Sequence, residues 1–287
     1  MSHPVSVVDK KKRSRRAFLK WAGLTTAATA PVALYPTLVE PSWIEVRKIN
    51  VPIPNLPAAF DGIAIAQLSD LHHSPATPLR FIQNAIDITR SLKPDLIALT
   101  GDYVSWGDFD RFPPVLDALK KLQPPLGGFA VRGNHDPPTV DDAVDEGLSQ
   151  NGIRSLRNEI VTITKNGSAI DVAGVCDRHA FAAWQAPNLS DDRPMLALCH
   201  NPDVADALKG TPVDLALAGH THGGQVNLPF IGPPVLPLIH KELVAGMYRI
   251  GKLRLYVNRG IGCLSFRVRF RSRPEITLFT LRRGENG

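Results

Sequence analysis

Short apolar runs punctuate this chain, and five of them end at once in a cluster of polar residues. The runs are Ile63 to Leu68, Leu96 to Thr100, Phe129 to Val131, Met195 to Cys199 and Leu215 to Ala218. Apolar stretches of this length, bounded by Gly or polar residues, read as buried strands. Between the first two, Leu79, Ile82, Ala85, Ile86 and Ile88 recur at helical steps and predict a helix over Thr77 to Leu92. Pro114 to Leu122 and Thr139 to Asn151 supply further helices, the latter with Thr139 as N-cap and Asp141 and Asp142 in its first turn. Val204 to Leu208 is a short helix ahead of the fifth run. Ile44 to Pro52 alternates and ends in proline, as an edge strand does.

From Ile153 onward the pattern changes. Glu159 to Thr164 and Ala169 to Val175 read as strands joined by an Asn166-Gly167 turn. Leu253 to Val257, Phe266 to Phe270 and Ile276 to Leu281 alternate, and no long helix separates them. Strand–helix repeats followed by a strand-rich half predict an α/β fold of two packed sheets with helices outside. No internal repeat interrupts the pattern, so one domain is expected over residues 44–287, preceded by a proline-rich linker at 36–43.

Composition changes this picture only at the N-terminus. The 287 residues are 44% apolar and 21% charged, ordinary for a globular body, with a net charge of +6. Seven of the 33 basic residues but only one of the 27 acidic residues fall in residues 1–35, so the remainder carries 26 of each. A neutral body offers no general electrostatic footprint for nucleic acid, and none is expected as a partner. Cys176, Cys199 and Cys263 lack finger-like spacing and read as structural, with a bridge after export left open.

The basic excess precedes a mildly apolar stretch, Trp21 to Tyr35, which is too short and too polar to predict a spanning helix. Ser14-Arg15-Arg16-Ala17-Phe18-Leu19-Lys20 resembles the twin-arginine export signal at every consensus position. Residues 1–35 are therefore expected to be an export leader, with the twin-arginine machinery as a partner and the periplasm or cell envelope as the destination. Ala28-Thr29-Ala30 fits a cleavage site, whereas Pro31 opposes cleavage. Two fates stay open: removal, or retention as a tether to the membrane surface.

The candidate chemistry lies where the five strands end. In order come Asp70-Leu71-His72, Gly101-Asp102, Gly133-Asn134-His135-Asp136, His200 and Gly219-His220-Thr221-His222. A parallel sheet gathers distant residues at its carboxyl edge. Carboxylate and imidazole together, without thiolate, suit Mn, Fe or Zn. Two cations roughly 3.5–4 Å apart need a ligand that spans both. Asp102, between the first pair and the later ligands, is the natural bridge. Each piece alone is common in proteins without a metal; the ordered occurrence of all of them is what points to two ions. His3, His73, His179 and His240 fall outside the set, His73 lying near enough to reach its rim.

The order Asp-x-His, Gly-Asp, Gly-Asn-His-Asp, His, Gly-His-x-His resembles the calcineurin-like metallophosphoesterase superfamily, from about Ile44 to Leu281. His200-Asn201-Pro202-Asp203, Gly219 to Gln225 and Pro274-Glu275-Ile276 are similar to a bacterial branch whose members are exported or membrane-associated. The resemblance implies an α/β/β/α sandwich and a metal-dependent phosphoric ester hydrolase with two divalent ions, Mn2+ first and Fe or Zn2+ as alternatives. It implies Asp70, His72, Asp102 and His222 on one metal, and Asp102, Asn134, His200 and His220 on the other. His135 would face the leaving group as general acid, and Asp136 would orient it.

One departure narrows the substrate. Protein serine/threonine phosphatases of this superfamily continue the second motif as Gly-Asp-x-Val-Asp-Arg-Gly; here it reads Gly101-Asp102-Tyr103-Val104-Ser105-Trp106-Gly107. Both the Asp that pairs with the histidine and the phosphate-clamping Arg are missing, which disfavours a phosphoprotein. A phosphodiester or pyrophosphate is expected, with a lipid-linked substrate of the UDP-2,3-diacylglucosamine type in view. The alternatives are a phosphomonoesterase on the same metals and a non-catalytic metal-binding scaffold. Two surfaces bear on the choice. Pro229 to Leu238 is either a loop packed on the core or a wall for an acyl chain or bilayer. Arg267, Arg269, Arg271 and Arg273 alternate, as on one face of a strand, and are either a solvated edge or an anion site.

Overall fold

The computed structural model describes residues 34–136, 141–175 and 192–284. Residues 1–33 of the expected leader, the Thr139 N-cap, Cys176 and His179 lie outside them. The first half alternates strand and helix: β1 (Glu45–Pro54), β2 (Ala64–Leu68), α1 (Leu79–Ser91), β3 (Leu96–Thr100), α2 (Phe112–Leu119), β4 (Gly128–Val131), α3 (Asp141–Gln150) and β5 (Ile153–Ser155). The second half is strand-rich: β6 (Ile160–Lys165), β7 (Ser168–Val175), β8 (Met195–Cys199), α4 (Ala205–Leu208), β9 (Val213–Ala218), β10 (Gly246–Ile250), β11 (Leu253–Val257) and β12 (Glu275–Gly284).

Two mixed six-stranded sheets result, in the orders β1-β12-β2-β3-β4-β5 and β10-β11-β9-β8-β7-β6. β2 to β5 run parallel, as do β7, β8, β9 and β11. Residue alternation divides the core into layers, since successive side chains leave a strand on opposite faces. Leu96 and Ala98 point between the sheets, against Leu196, Leu198, Leu215 and Leu217, while Ile97 and Leu99 pack under Ile82, Ile86, Val115 and Leu119 of α1 and α2. The outer face of the second sheet is covered by Ala205 and Leu208 of α4 and by Leu236, Leu238 and Leu243. The architecture is the expected α/β sandwich of two sheets with flanking helices.

The sheets are also tied by polar contacts close to where their strands end. Gln67 on β2 is fully buried, and its Nε2 donates to Thr100 Oγ1 at 3.0 Å and to the Ala218 carbonyl of the other sheet at 2.9 Å. β1 stands at the sheet edge as its prolines require. Residues 36–43, expected as a linker, form two helical turns (Tyr35–Val39 and Glu40–Ser42) that lay Glu40 into the body, where it accepts the Ser272 amide at 2.5 Å.

One expected strand is absent. Phe266 to Phe270 forms a single bridge, Phe270 to Val226, and is otherwise irregular. Ser265 and Arg271 take left-handed backbone (φ 53° and 55°), which breaks the alternation. The cause is Arg269, which turns inward and is fully buried. Its guanidinium donates to the carbonyls of Arg259, Gly260, Gly262 and Ser272, so the chain winds around it. The four arginines therefore do not share a face.

Candidate metal centre

The five polar clusters follow β2, β3, β4, β8 and β9 and meet at one edge of the sandwich. There Asp70, His72 and His222 form one group and Asp102, His200 and His220 another, each with ligand atoms within 4.8 Å of one another. Asp102 stands between them. Its Oδ2 lies 3.3 Å from His72 Nε2 and 3.2 Å from His200 Nε2. Its Oδ1 accepts the backbone N–H of His135 at 2.8 Å, which fixes the carboxylate in that orientation. Asn134 Oδ1 and His220 Nδ1 approach His200 Nε2 at 3.0 and 3.1 Å. Asp70 Oδ1 is 3.4 Å from His222 Nε2, and the Asp70 carboxylate accepts the His220 amide across the two sheets. All seven residues expected as ligands are thus brought together.

Outer contacts decide which ring nitrogen faces inward. His200 Nδ1–H donates to the Thr100 carbonyl at 2.7 Å, and His220 Nε2–H to the Pro237 carbonyl at 3.3 Å. Each leaves its other nitrogen lone pair toward the cluster, as a metal ligand requires. The backbone is held as tightly as the side chains. Asp70, His72, Asp102, His220 and His222 all have φ between 43° and 71°, a region that costs non-glycine residues energy and persists only where the surroundings impose it. At Gly133 a Cβ would stand 2.2 Å from Asp102 Oδ1, so glycine is needed there for the loop after β4 to reach the carboxylate.

A divalent ion fits this donor set. Both ring nitrogens of His72 and Nε2 of His222 are buried without a hydrogen-bond partner, a costly arrangement unless something else engages them. Burial pushes the Asp70 carboxyl upward, with Asp102 adding to it and His200 and His72 opposing. A cation beside it would reverse that. Burial also opposes charge on Asp102, but His200 and His72 outweigh it and hold the carboxyl well below its usual range. Burial, then His200, brings His220 down to about 4, so its imidazole is neutral and able to ligate. Cys199 and Cys263 are buried and stand outside the cluster.

The remaining residues sort differently from expectation. Asp136, expected to orient His135, instead accepts the backbone amides of Asp102, Tyr103 and Gly133 at 2.7 to 2.9 Å, bracing the two loops against each other. The His135 ring is held by the Trp106 amide, 3.2 Å from Nδ1, and burial lowers its pKa. His73 is buried, and its Nδ1 meets the Arg111 carbonyl at 2.8 Å, away from the cluster. Arg269 was not legible as part of this region, because alternation with Phe266, Val268 and Phe270 mimics a surface strand. Its Nη2 lies 3.4 Å from His222 Nδ1. Only its length among buried neighbours distinguishes it, and that is a property of the fold.

The loop after His222 divides in two. Leu236 and Leu238 pack into the core, whereas Phe230, Ile231, Val235 and Ile239 are exposed, Phe230 fully so. The Pro237 carbonyl meets His220, so the loop that carries these exposed apolar side chains touches the cluster at Pro237.

A family model for the calcineurin-like phosphoesterases matches residues 63–224. Among curated relatives, the uncharacterized metallophosphoesterase YkuE of Bacillus subtilis is 37% identical over 95% of this chain and 99% of its own length. The phosphodiesterase YaeI of Escherichia coli is 36% identical over 93% and 99%. The UDP-2,3-diacylglucosamine pyrophosphatase LpxG of Chlamydia trachomatis is 30% identical over 90% and 95%.

Proposed function

This chain belongs to the calcineurin-like phosphoesterase family, and on that premise we propose that it is an exported binuclear enzyme hydrolysing a phosphodiester or pyrophosphate with an apolar or lipid-linked group. That it is a hydrolase of phosphate esters follows from the family. The binuclear part of the reading rests above all on Asp102, whose Oδ2 sits at 3.3 and 3.2 Å from imidazole nitrogens of both groups. Asp70, His72, Asp102 and His222 would hold one cation, and Asp102, Asn134, His200 and His220 the other. Two such ions supply Lewis acidity for the phosphoryl oxygens and make a water nucleophilic at neutral pH.

The protein's part is to place and exclude. Thr100 and Pro237 fix the ligand imidazoles through their carbonyls, and Asp136 locks the loops that carry Asp102 and His135. His135, half-buried beside His72 with ring centroids 4.9 Å apart, assists departure of the leaving oxygen. Substrate class is supported from three sides: two relatives are named a phosphodiesterase and a pyrophosphatase of an acylated nucleotide sugar, the exposed loop borders His220, and the Asp-Arg pair of protein phosphatases is missing. Among the described residues no helix is long and apolar enough to cross a membrane. Residues 1–35 would direct export and, if retained, tether the domain to the bilayer.

The test is a panel assay of the metal-loaded protein on an aryl phosphomonoester, an aryl phosphodiester and an acylated nucleotide-sugar pyrophosphate. Turnover of the diester or pyrophosphate is expected to exceed that of the monoester. Cleavage of monoesters alone would overturn the substrate reading and leave the metal site standing.

A further inference from the structure

The loop after Asp102 presents a backbone amide, that of Trp106, to the ring of His135. Ser105 to Asp108 closes a β-turn, with the Asp108 amide on the Ser105 carbonyl at 3.0 Å and Gly107 at φ +85°. Positive φ at the third residue marks a type II geometry, in which the amide of the second residue takes no part in closing the turn. That residue is Trp106. Its N–H is turned outward to His135 Nδ1 at 3.2 Å, while its indole, largely exposed, stands edge-on to the same ring with centroids 6.5 Å apart.

We infer that the Trp106 amide sets the tautomer of His135, leaving the single ring proton on Nε2, so that His135 acts as a neutral hydrogen-bond donor rather than as a proton-transferring acid. The inference rests on the reading that His135 faces the leaving group. A neutral imidazole has one N–H, and a nitrogen that accepts cannot carry it. A carboxylate partner would demand the opposite, a proton on Nδ1. Among the described residues Nε2 of His135 has no hydrogen-bond partner, so its N–H is available to a substrate oxygen. Giving that proton away would leave an anionic ring, whereas donating it in a hydrogen bond stabilises charge growing on the oxygen as a P–O bond lengthens. The leaving group then takes its proton from water. Trp106 is in these terms a positioning residue, acting through its main chain.

The tautomer is directly observable. Protein with 15N-labelled histidine, loaded with Zn2+, gives two-bond 1H–15N correlations that distinguish a protonated Nε2 from a protonated Nδ1; His135→Gln assigns the signal. Nε2–H is expected for His135 in wild type and in Trp106→Ala, which keeps the amide. Trp106→Pro removes the N–H as well as the indole, the latter loss being matched by Trp106→Ala, at a turn position that favours proline, and is expected to give a mixture of tautomers. Nδ1–H in the wild type, or an unchanged tautomer in Trp106→Pro, would overturn the inference. Should Trp106→Pro not fold, the wild-type tautomer and a kinetic comparison decide. Gln offers a neutral N–H near the place of Nε2, so His135→Gln should turn over an aryl diester at least tenfold faster than His135→Ala. Equal rates for the two would sink neutral donation while leaving the enzyme a metallophosphoesterase. A wild type that binds metal and hydrolyses nothing in the substrate panel would instead sink the reading beneath it.

Discussion

At the scale of the residue, identity and conformation carry separate information, and only identity was legible. The seven candidate ligands could be picked out because acidic and imidazole residues recur directly behind apolar runs. What the sequence hid is that five of the thirteen described non-glycine residues with positive φ are these same ligands. Each such residue costs about 1–3 kcal/mol, which packing elsewhere must offset. The bridging assignment makes a clear prediction here. Asp102→Ala removes the side chain proposed to serve both groups, so the purified variant should hold fewer than two metals per chain and lose nearly all turnover. His135→Ala removes no candidate ligand and should keep its metals while turnover falls about 10² to 10³-fold, as when a donor to a developing charge is lost. Metal-to-protein ratios on the two variants separate these roles. Two metals retained in Asp102→Ala would remove the bridge. The roles of Asp136 and Trp106 could not be read beforehand, since both depend on which backbone amides point where.

Elements were legible where the hydrophobic period was unopposed. β3, β8 and β11 fall at the expected residues, because an apolar run with a polar stop has one stable placement in a sheet. Phe266 to Phe270 has the same period, yet a buried guanidinium with four carbonyl partners outweighs the sheet it would otherwise join. The loop after His222 is a middle case. Its composition allowed both packing and exposure, with packing favoured, and the fold assigns Leu236 and Leu238 to the core and Phe230 and Ile231 to solvent. The exposed pair can therefore be changed without opening a cavity. Phe230→Ser with Ile231→Ser should raise KM for an acylated pyrophosphate about tenfold or more, the loss of roughly 1.4 kcal/mol of apolar contact. A small aryl diester should be nearly unaffected, since the metals are undisturbed. Equal effects on the two substrates would deny the loop any part in binding an acyl chain.

For the whole molecule, the decisive fact is that the site belongs to neither sheet. Its candidate ligands follow strands of both, from Asp70 to His222, and the Asp70 carboxylate bonds the His220 amide across the interface. At the same end of the junction, close behind Asp70, the buried Glu275 of β12 accepts from Tyr256 of β11 at 2.5 Å and from Arg259 at 2.5 Å, fixing how the sheets are set against each other. Two packed sheets could be expected from the pattern, but this cross-sheet wiring could not, because partners such as Gln67 and Ala218 lie 151 residues apart in sequence. A site that exists only once both sheets have formed bears on the proposed leader. Export of an unfolded chain would leave metal selection to whatever ions lie outside, whereas a route for folded proteins allows loading beforehand. Arg15→Lys with Arg16→Lys keeps the leader's charge, so a purely electrostatic contact with the membrane should change little. If residues 1–35 address the twin-arginine route, the double variant should instead accumulate in the cytoplasm, folded and active, with the exported fraction lost. Cell fractionation with a diesterase assay on each fraction reads both. Undiminished export would assign the leader to general secretion, and metal loading would then have to follow translocation.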